Sequence, residues 1–67
     1  MLLKFGRRTV TVTDLAEASR VYSQARDASG KGASQWPAGT VDDYWISYNG
    51  KVWSADKTTV IFDPYKL

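Results

Sequence analysis

Residues 44–53 read Tyr44-Trp45-Ile46-Ser47-Tyr48-Asn49-Gly50-Lys51-Val52-Trp53, and this aromatic stretch decides the fold. Asn49-Gly50 is the dipeptide preferred in a two-residue type I′ turn, so the stretch predicts a β-hairpin. In that hairpin Tyr48 lies opposite Lys51, and the residues farther from the turn pair in the same register.

Two faces follow from this predicted register. Ile46 lies opposite Trp53 and joins Tyr44 on a first face, because side chains alternate along a strand. Trp45 and Val52 then lie on a second face. A shift of one residue in the turn would exchange the two faces, so the position of the turn decides the assignment.

A further strand is predicted over Thr58–Phe62, and Asp63-Pro64 ends it because proline cannot donate to a ladder. Alternation adds Val60 and Phe62 to the first face of the hairpin. It adds Ile61 to the second face, with Trp45 and Val52.

The N-terminal segment is predicted to form another hairpin. Gly6-Arg7 links two short stretches, and glycine at the first linking position suits a type II′ turn. Leu3 then lies opposite Val10. Alternation gives this hairpin one apolar face, made of Met1, Leu3, Phe5, Val10 and Val12.

The segment Asp14–Ala28 is predicted to be a helix. Asp14 followed by Glu17 resembles a capping box, and Gly30 lies where a left-handed residue ends a helix. Apolar side chains recur at three- and four-residue steps, namely Leu15, Ala18, Val21, Tyr22 and Ala25. The glycine-rich run Gly30–Gly39, which contains a proline, is predicted to be a loop.

The order of elements is therefore β-β-α-β-β-β within one small domain, residues 1–67. It predicts an α+β fold, with a mostly antiparallel sheet and one helix packed on one face. The first face of the aromatic hairpin and the apolar face of the N-terminal hairpin are expected to meet that helix.

The composition excludes several kinds of active site. The chain has nine Lys and Arg, seven Asp and Glu, a net charge of +2, and neither Cys nor His. It therefore lacks a thiol nucleophile, an imidazole base and the usual zinc ligands. The adjacent carboxylates Asp42-Asp43 read as a solvated strand start, where neighbours point to opposite faces. We expect a domain that is not an enzyme and needs no cofactor.

The sequence also indicates where the protein acts. Lys4 interrupts the N-terminal apolar residues, so they do not resemble a signal peptide. No apolar run approaches the ~20 residues of a membrane span. We expect a cytoplasmic protein with no membrane partner.

A candidate contact surface lies on the second face. Trp45, Val52 and Ile61 would form a small apolar patch there, and apolar patches and tryptophan are both typical of interfaces. The predicted charged rim of this patch is Arg7, Arg8 and Lys51.

A second interpretation of Trp45 stays open. A chain of this length needs much of its aromatic surface for burial, so Trp36 could cover Trp45. The C-terminal segment could do the same through Tyr65 and Leu67.

Three short segments resemble uncharacterised bacterial and prophage proteins: residues 25–34, residues 46–53, and Phe62-Asp63-Pro64. No activity comes with this resemblance. It implies a phage accessory protein that binds and blocks a host protein or complex, for example a CRISPR-type defence effector, in the host cytoplasm. The alternatives are a nucleic-acid-binding domain that uses its basic hairpin tips, and a self-associating domain such as a homodimer.

Overall fold

The computed structural model describes residues 1–32 and 34–66. Its elements in chain order are β1 (Leu2–Phe5), β2 (Arg8–Thr11), α1 (Leu15–Ser29), β3 (Gly39–Val41), β4 (Tyr44–Ile46), β5 (Val52–Trp53), β6 (Val60–Phe62) and a 3-10 helix (Pro64–Lys66). The strands form one antiparallel sheet of six, in the order β2-β1-β3-β4-β5-β6. The predicted α+β class is confirmed.

The sheet has one strand more than the sequence pattern predicts. Gly39–Val41 forms β3, which lies between β1 and β4 and joins the two hairpins into one sheet. Asp42-Asp43 is the two-residue turn between β3 and β4, not the start of a strand. Asp42 adopts φ +51, a left-handed conformation that aspartate tolerates better than most residues.

The N-terminal hairpin has the predicted register. Phe5 pairs with Arg8 and Leu3 pairs with Val10. Gly6 has φ +57, as the first linking residue of a type II′ turn requires. Because the register holds, Leu3 and Phe5 are buried against the helix.

The helix begins and ends as its sequence indicates. The Asp14 side chain accepts a hydrogen bond of 2.8 Å from the backbone N–H of Glu17, and the Glu17 carboxylate accepts one of 2.9 Å from Thr13 N–H. Gly30 ends the helix with φ +68. These caps satisfy backbone groups that a helix end otherwise leaves without partners.

The core lies between α1 and one face of the sheet. Its buried apolar side chains are Leu3, Phe5, Val12, Ala18, Tyr22, Val41, Ile46 and Val52. Tyr22 packs edge-on against Phe5, with ring centroids 5.3 Å apart, and its hydroxyl donates to the carbonyl of Pro37 at 2.7 Å. The Trp36 ring packs near Phe5 and Tyr22, with centroids 5.8 Å and 6.2 Å away.

The register of the aromatic hairpin differs from the prediction by one residue. Ile46 pairs with Val52, and Trp45 pairs with Trp53. The predicted pairing of Ile46 with Trp53 is therefore wrong. Ile46 and Val52 face the core, whereas Trp45 and Trp53 share the opposite face.

The reason is the length of the hairpin loop. Ser47 N–H donates to the carbonyl of Lys51 at 3.0 Å, and Gly50 N–H donates to that of Ser47 at 2.8 Å. Gly50 alone in this loop has a positive φ, of +85. The loop is therefore Tyr48-Asn49-Gly50, a type I turn followed by a left-handed glycine, instead of a two-residue turn.

Contacts with α1 hold the tip of this hairpin. Ser19, which is buried, donates from its hydroxyl to the carbonyl of Gly50 at 2.8 Å. The Arg26 guanidinium donates to the carbonyl of Tyr48 and lies 5.2 Å from the centroid of the Tyr48 ring. These contacts come from a distant part of the chain, and they favour the longer loop.

The last strand carries an irregularity. Val52 pairs with Phe62, but Trp53 pairs with Val60, so β6 has one more residue than β5 over this stretch. Phe62 packs against the core as predicted, whereas Val60 lies opposite Trp53 and is 36% exposed. The prediction that Val60 faces the helix is wrong because the register of the hairpin before it is shifted.

Candidate functional site

The face of the sheet opposite α1, here called the helix-free face, carries one row of side chains across all six strands. Each member of the row pairs with the next one in the antiparallel register. In spatial order the row is Thr9, Lys4, Thr40, Trp45, Trp53 and Val60. The row contains no carboxylate, and its two largest side chains are neighbours at its centre.

Trp45 is held in one orientation although it is 36% exposed. Its indole Nε1 donates to the carbonyl of Ala55 at 3.0 Å. The ammonium of Lys57 lies 4.0 Å from the centroid of the indole ring, a close cation–π contact. Trp45 is therefore a fixed aromatic surface instead of a free side chain.

Trp53 is half-buried beside it. Its indole Nε1 donates to the hydroxyl of Ser47 at 3.3 Å. The two tryptophans border a shallow groove of about 340 Å³, here called the tryptophan groove, which is lined by Ala38, Trp45, Ile46, Ser47, Trp53 and Lys57. Its wall is mostly apolar, with one ammonium group on its border.

The turn that carries Lys57 is internally braced. The Asp56 carboxylate accepts hydrogen bonds from the hydroxyl of Ser54 at 2.6 Å, and from the N–H and hydroxyl of Thr58 at 3.1 Å and 2.7 Å. These bonds hold the pKa of Asp56 below its usual value of 3.8. Lys57 itself has φ +64, so the turn fixes the backbone from which the lysine reaches Trp45.

The structure separates the residues of the predicted apolar patch. Val52 is fully buried in the core, so its assignment to an exposed contact surface is wrong. Trp45 lies on the helix-free face, and Ile61 is 40% exposed at the irregular position of β6. The binding roles of Trp45 and Ile61 remain predictions.

Two residues of the predicted charged rim, Arg8 and Lys51, contact groups other than Trp45. Arg8 pairs with Phe5, and its guanidinium lies 5.5 Å from the centroid of the Phe5 ring. Lys51 forms an ion pair with Asp63, with a distance of 3.9 Å between Nζ and Oδ2. Arg7 is exposed in the first hairpin turn.

Sequence reasoning missed Trp53 and Lys57 as members of this surface. The sequence could have indicated Trp53, because a shift of one residue in the hairpin register places Trp53 beside Trp45. The alternative that Trp36 covers Trp45 is not what the structure shows, since Trp36 packs with Phe5. Tyr65 is 68% exposed, and Leu67 lies outside the described residues.

Several of the cations have partners within the chain. Besides the two contacts above, Arg20 pairs with Glu17 at 3.4 Å, and Arg26 binds the carbonyl of Tyr48. Three of the nine Lys and Arg residues thus bind an oxygen atom of the chain, namely Arg20, Arg26 and Lys51, and Arg8 lies over the Phe5 ring. The helix-free face keeps Lys4 within its row and Lys57 over Trp45.

Residues 1–32 and 34–66 hold no group of three or more Asp and Glu side chains placed to bind a metal ion. Neither helix in this part of the chain combines the length and apolar character needed to cross a membrane.

The chain matches no protein-family model, and no curated protein or solved structure matches it significantly.

Proposed function

We propose that this chain is a non-enzymatic binding domain that attaches to another protein through its helix-free face. The observation that supports this is the pairing of Trp45 with Trp53 on a sheet face that α1 leaves uncovered. Tryptophan is enriched among the residues that dominate binding energy at protein interfaces.

The rigidity of the two indoles strengthens the proposal. Each indole N–H already has an acceptor, Ala55 for Trp45 and Ser47 for Trp53. Neither indole N–H therefore needs a new acceptor when a partner covers the ring. Because the side chains are fixed before binding, less rotamer entropy is lost in the complex.

The resemblance to short bacterial and prophage proteins indicates the kind of partner. On that basis we place the partner in a bacterial host, as a protein or complex that this domain occupies and blocks. A defence effector of the CRISPR type is one class of such partner, and the site of action is then the host cytoplasm.

Affinity capture from host lysate tests the proposal with two changes on the face and one off it. Trp45→Ala removes an indole, and Val60→Glu adds a charge at the end of the same row. Tyr65→Ala is the control, because it truncates an aromatic side chain that is 68% exposed in the 3-10 helix. Thermal unfolding of each variant shows that the domain is still folded.

The expected result is that both face variants lose a protein that the wild type and Tyr65→Ala retain. Retention of the same proteins by all four folded chains would refute the proposal. If instead the mass of the wild type rises with concentration in sedimentation and that of folded Trp45→Ala does not, the partner is a second copy of the chain.

A second candidate function is binding of single-stranded nucleic acid. The observation that favours it is again the Trp45–Trp53 pair, since successive bases stack on aromatic side chains and Lys4 and Lys57 lie on the same face. It requires affinity for an oligothymidine probe that falls steeply between about 50 and 200 mM salt. An absent or flat response on single- and double-stranded probes would remove this candidate.

A further inference from the structure

We infer that the tryptophan groove receives an acidic segment of the partner protein, in which an apolar side chain is followed by a carboxylate. The apolar side chain lies between the indoles of Trp45 and Trp53, and the carboxylate meets the ammonium of Lys57. This inference rests on the proposed function and specifies the chemistry that the same face recognises.

Lys57 borders the tryptophan groove. Its ammonium lies on the Trp45 ring, and among the residues that the structure describes it makes no ion pair. A cation–π contact uses the charge but leaves the N–H donors that point away from the ring free to meet an acceptor. A fixed cation at the border of an apolar groove therefore favours an anion that arrives beside an apolar group.

The charge of the row on the helix-free face also favours an acidic segment. Lys4 belongs to the row, and none of its six members is acidic. The nearby carboxylate of Asp56 already accepts bonds from Ser54 and Thr58 within its own turn. A basic segment would meet Lys57 and Lys4 with like charge, which disfavours it.

The size of the groove fits side chains better than a nucleic-acid strand. Its volume of about 340 Å³ lies at the lower end of the range for small ligand sites, and its wall includes Ala38, Trp45 and Trp53. A phosphate backbone requires cations along its length. Here Arg26 binds the carbonyl of Tyr48 and Lys51 binds the carboxylate of Asp63, so neither is free to bind a phosphate beside Lys4 and Lys57.

Peptide titration observed by NMR tests the inference. The probes are the blocked tetrapeptides Ser-Leu-Asp-Ser, Ser-Leu-Asn-Ser and Ser-Leu-Lys-Ser, added up to about 10 mM because one short contact gives millimolar affinity. The readout is the indole N–H signals of Trp45 and Trp53, with that of Trp36 as the internal reference. The variants are Lys57→Met, which keeps an unbranched stem without charge, and Lys31→Met as the control at an exposed lysine.

The expected result is that the Asp peptide moves the signals of Trp45 and Trp53 and binds about twofold to fivefold more tightly than the Asn peptide, as one exposed ion pair allows. Lys57→Met should remove that difference, and Lys31→Met should keep it. The Lys peptide should bind most weakly.

Three outcomes overturn the inference. If the Asp and Asn peptides bind equally, the groove has no preference for an anion, although the face still serves the proposed function. If no peptide moves either indole signal, the groove does not receive such a segment, and lysate capture by the face variants decides the proposed function separately. If oligothymidine moves the same signals with steep salt dependence and the peptides do not, the partner is a nucleic acid.

Discussion

The register of the aromatic hairpin decides which side chains a partner can reach, and one substitution at two positions tests it. Val52→Thr and Val60→Thr make the same chemical change, in which a methyl group becomes a hydroxyl and the β-branched shape is kept. In this structure Val52 is fully buried among core side chains, whereas Val60 is 36% exposed beside Trp53. A two-residue Asn49-Gly50 turn would reverse these environments.

The losses of stability expected from Val52→Thr and Val60→Thr differ enough to be distinguished by experiment. Burying a hydroxyl in the apolar core at Val52 is expected to cost about 1–3 kcal/mol. In a domain of this size each kcal/mol lowers Tm by roughly 4–8 °C, so Val52→Thr should lower it by about 5–20 °C. Val60→Thr leaves its hydroxyl in reach of water, and its effect should stay within about 0.5 kcal/mol.

Thermal and urea unfolding of the two variants measure these costs. The urea midpoint should fall for Val52→Thr with an unchanged m-value, which would show a change in stability and not in the unfolded state. Equal effects of the two substitutions would contradict the register. A larger effect of Val60→Thr would indicate the two-residue turn, with Trp53 in the core and Val52 on the helix-free face.

Three further changes test the packing. Gly39→Ala places a Cβ 2.8 Å from the backbone carbonyl oxygen of Lys4, so it should lower the free energy of unfolding by about 1–3 kcal/mol. Gly32→Ala is the control, because a Cβ at Gly32 meets open space. Equal urea midpoints of the two variants would contradict the close approach of β1 and β3. Asp14→Ala removes the helix cap and should cost about 1 kcal/mol in urea unfolding, with a loss of helical circular dichroism; an unchanged midpoint would show that the cap contributes nothing. Burial raises the pKa of Tyr22 above 10.0, so the stability that its protonated hydroxyl contributes is complete below pH 10 and is lost as pH rises through the folded-state pKa. The urea midpoint of Tyr22→Phe should therefore fall less than that of the wild type above pH 10. Equal falls of the two midpoints with pH would contradict this.

The elements with local signals could be predicted from the sequence. Gly6-Arg7 defines the first hairpin, and Asp14 with Glu17 defines the start of the helix, because turn and cap chemistry act over a few residues. The strand Gly39–Val41 could not be predicted in this way. It has only three residues, it follows a glycine-rich run, and its place between β1 and β4 comes from long-range pairing.

The composition of the candidate site could be predicted only in part, for a related reason. Asn49-Gly50 suits a two-residue turn, and it equally suits a three-residue loop in which Gly50 alone is left-handed. The two loops differ by one residue, and the local sequence does not choose between them. Contacts of the loop with α1, through Ser19 and Arg26, accompany the longer form.

The contacts between the hairpin loop and α1 connect the helix to the surface that we propose for binding. Gly50 packs so close to the helix that a Cβ added there would lie 2.8 Å from the Ser23 hydroxyl and 3.1 Å from that of Ser19. Only a glycine in the last position of a three-residue loop satisfies both this contact and the left-handed backbone. With the loop fixed in this form, Trp53 must leave the core and join Trp45. The side chains that hold the hairpin tip on the inner side thus determine which aromatic residues a partner meets on the outer side.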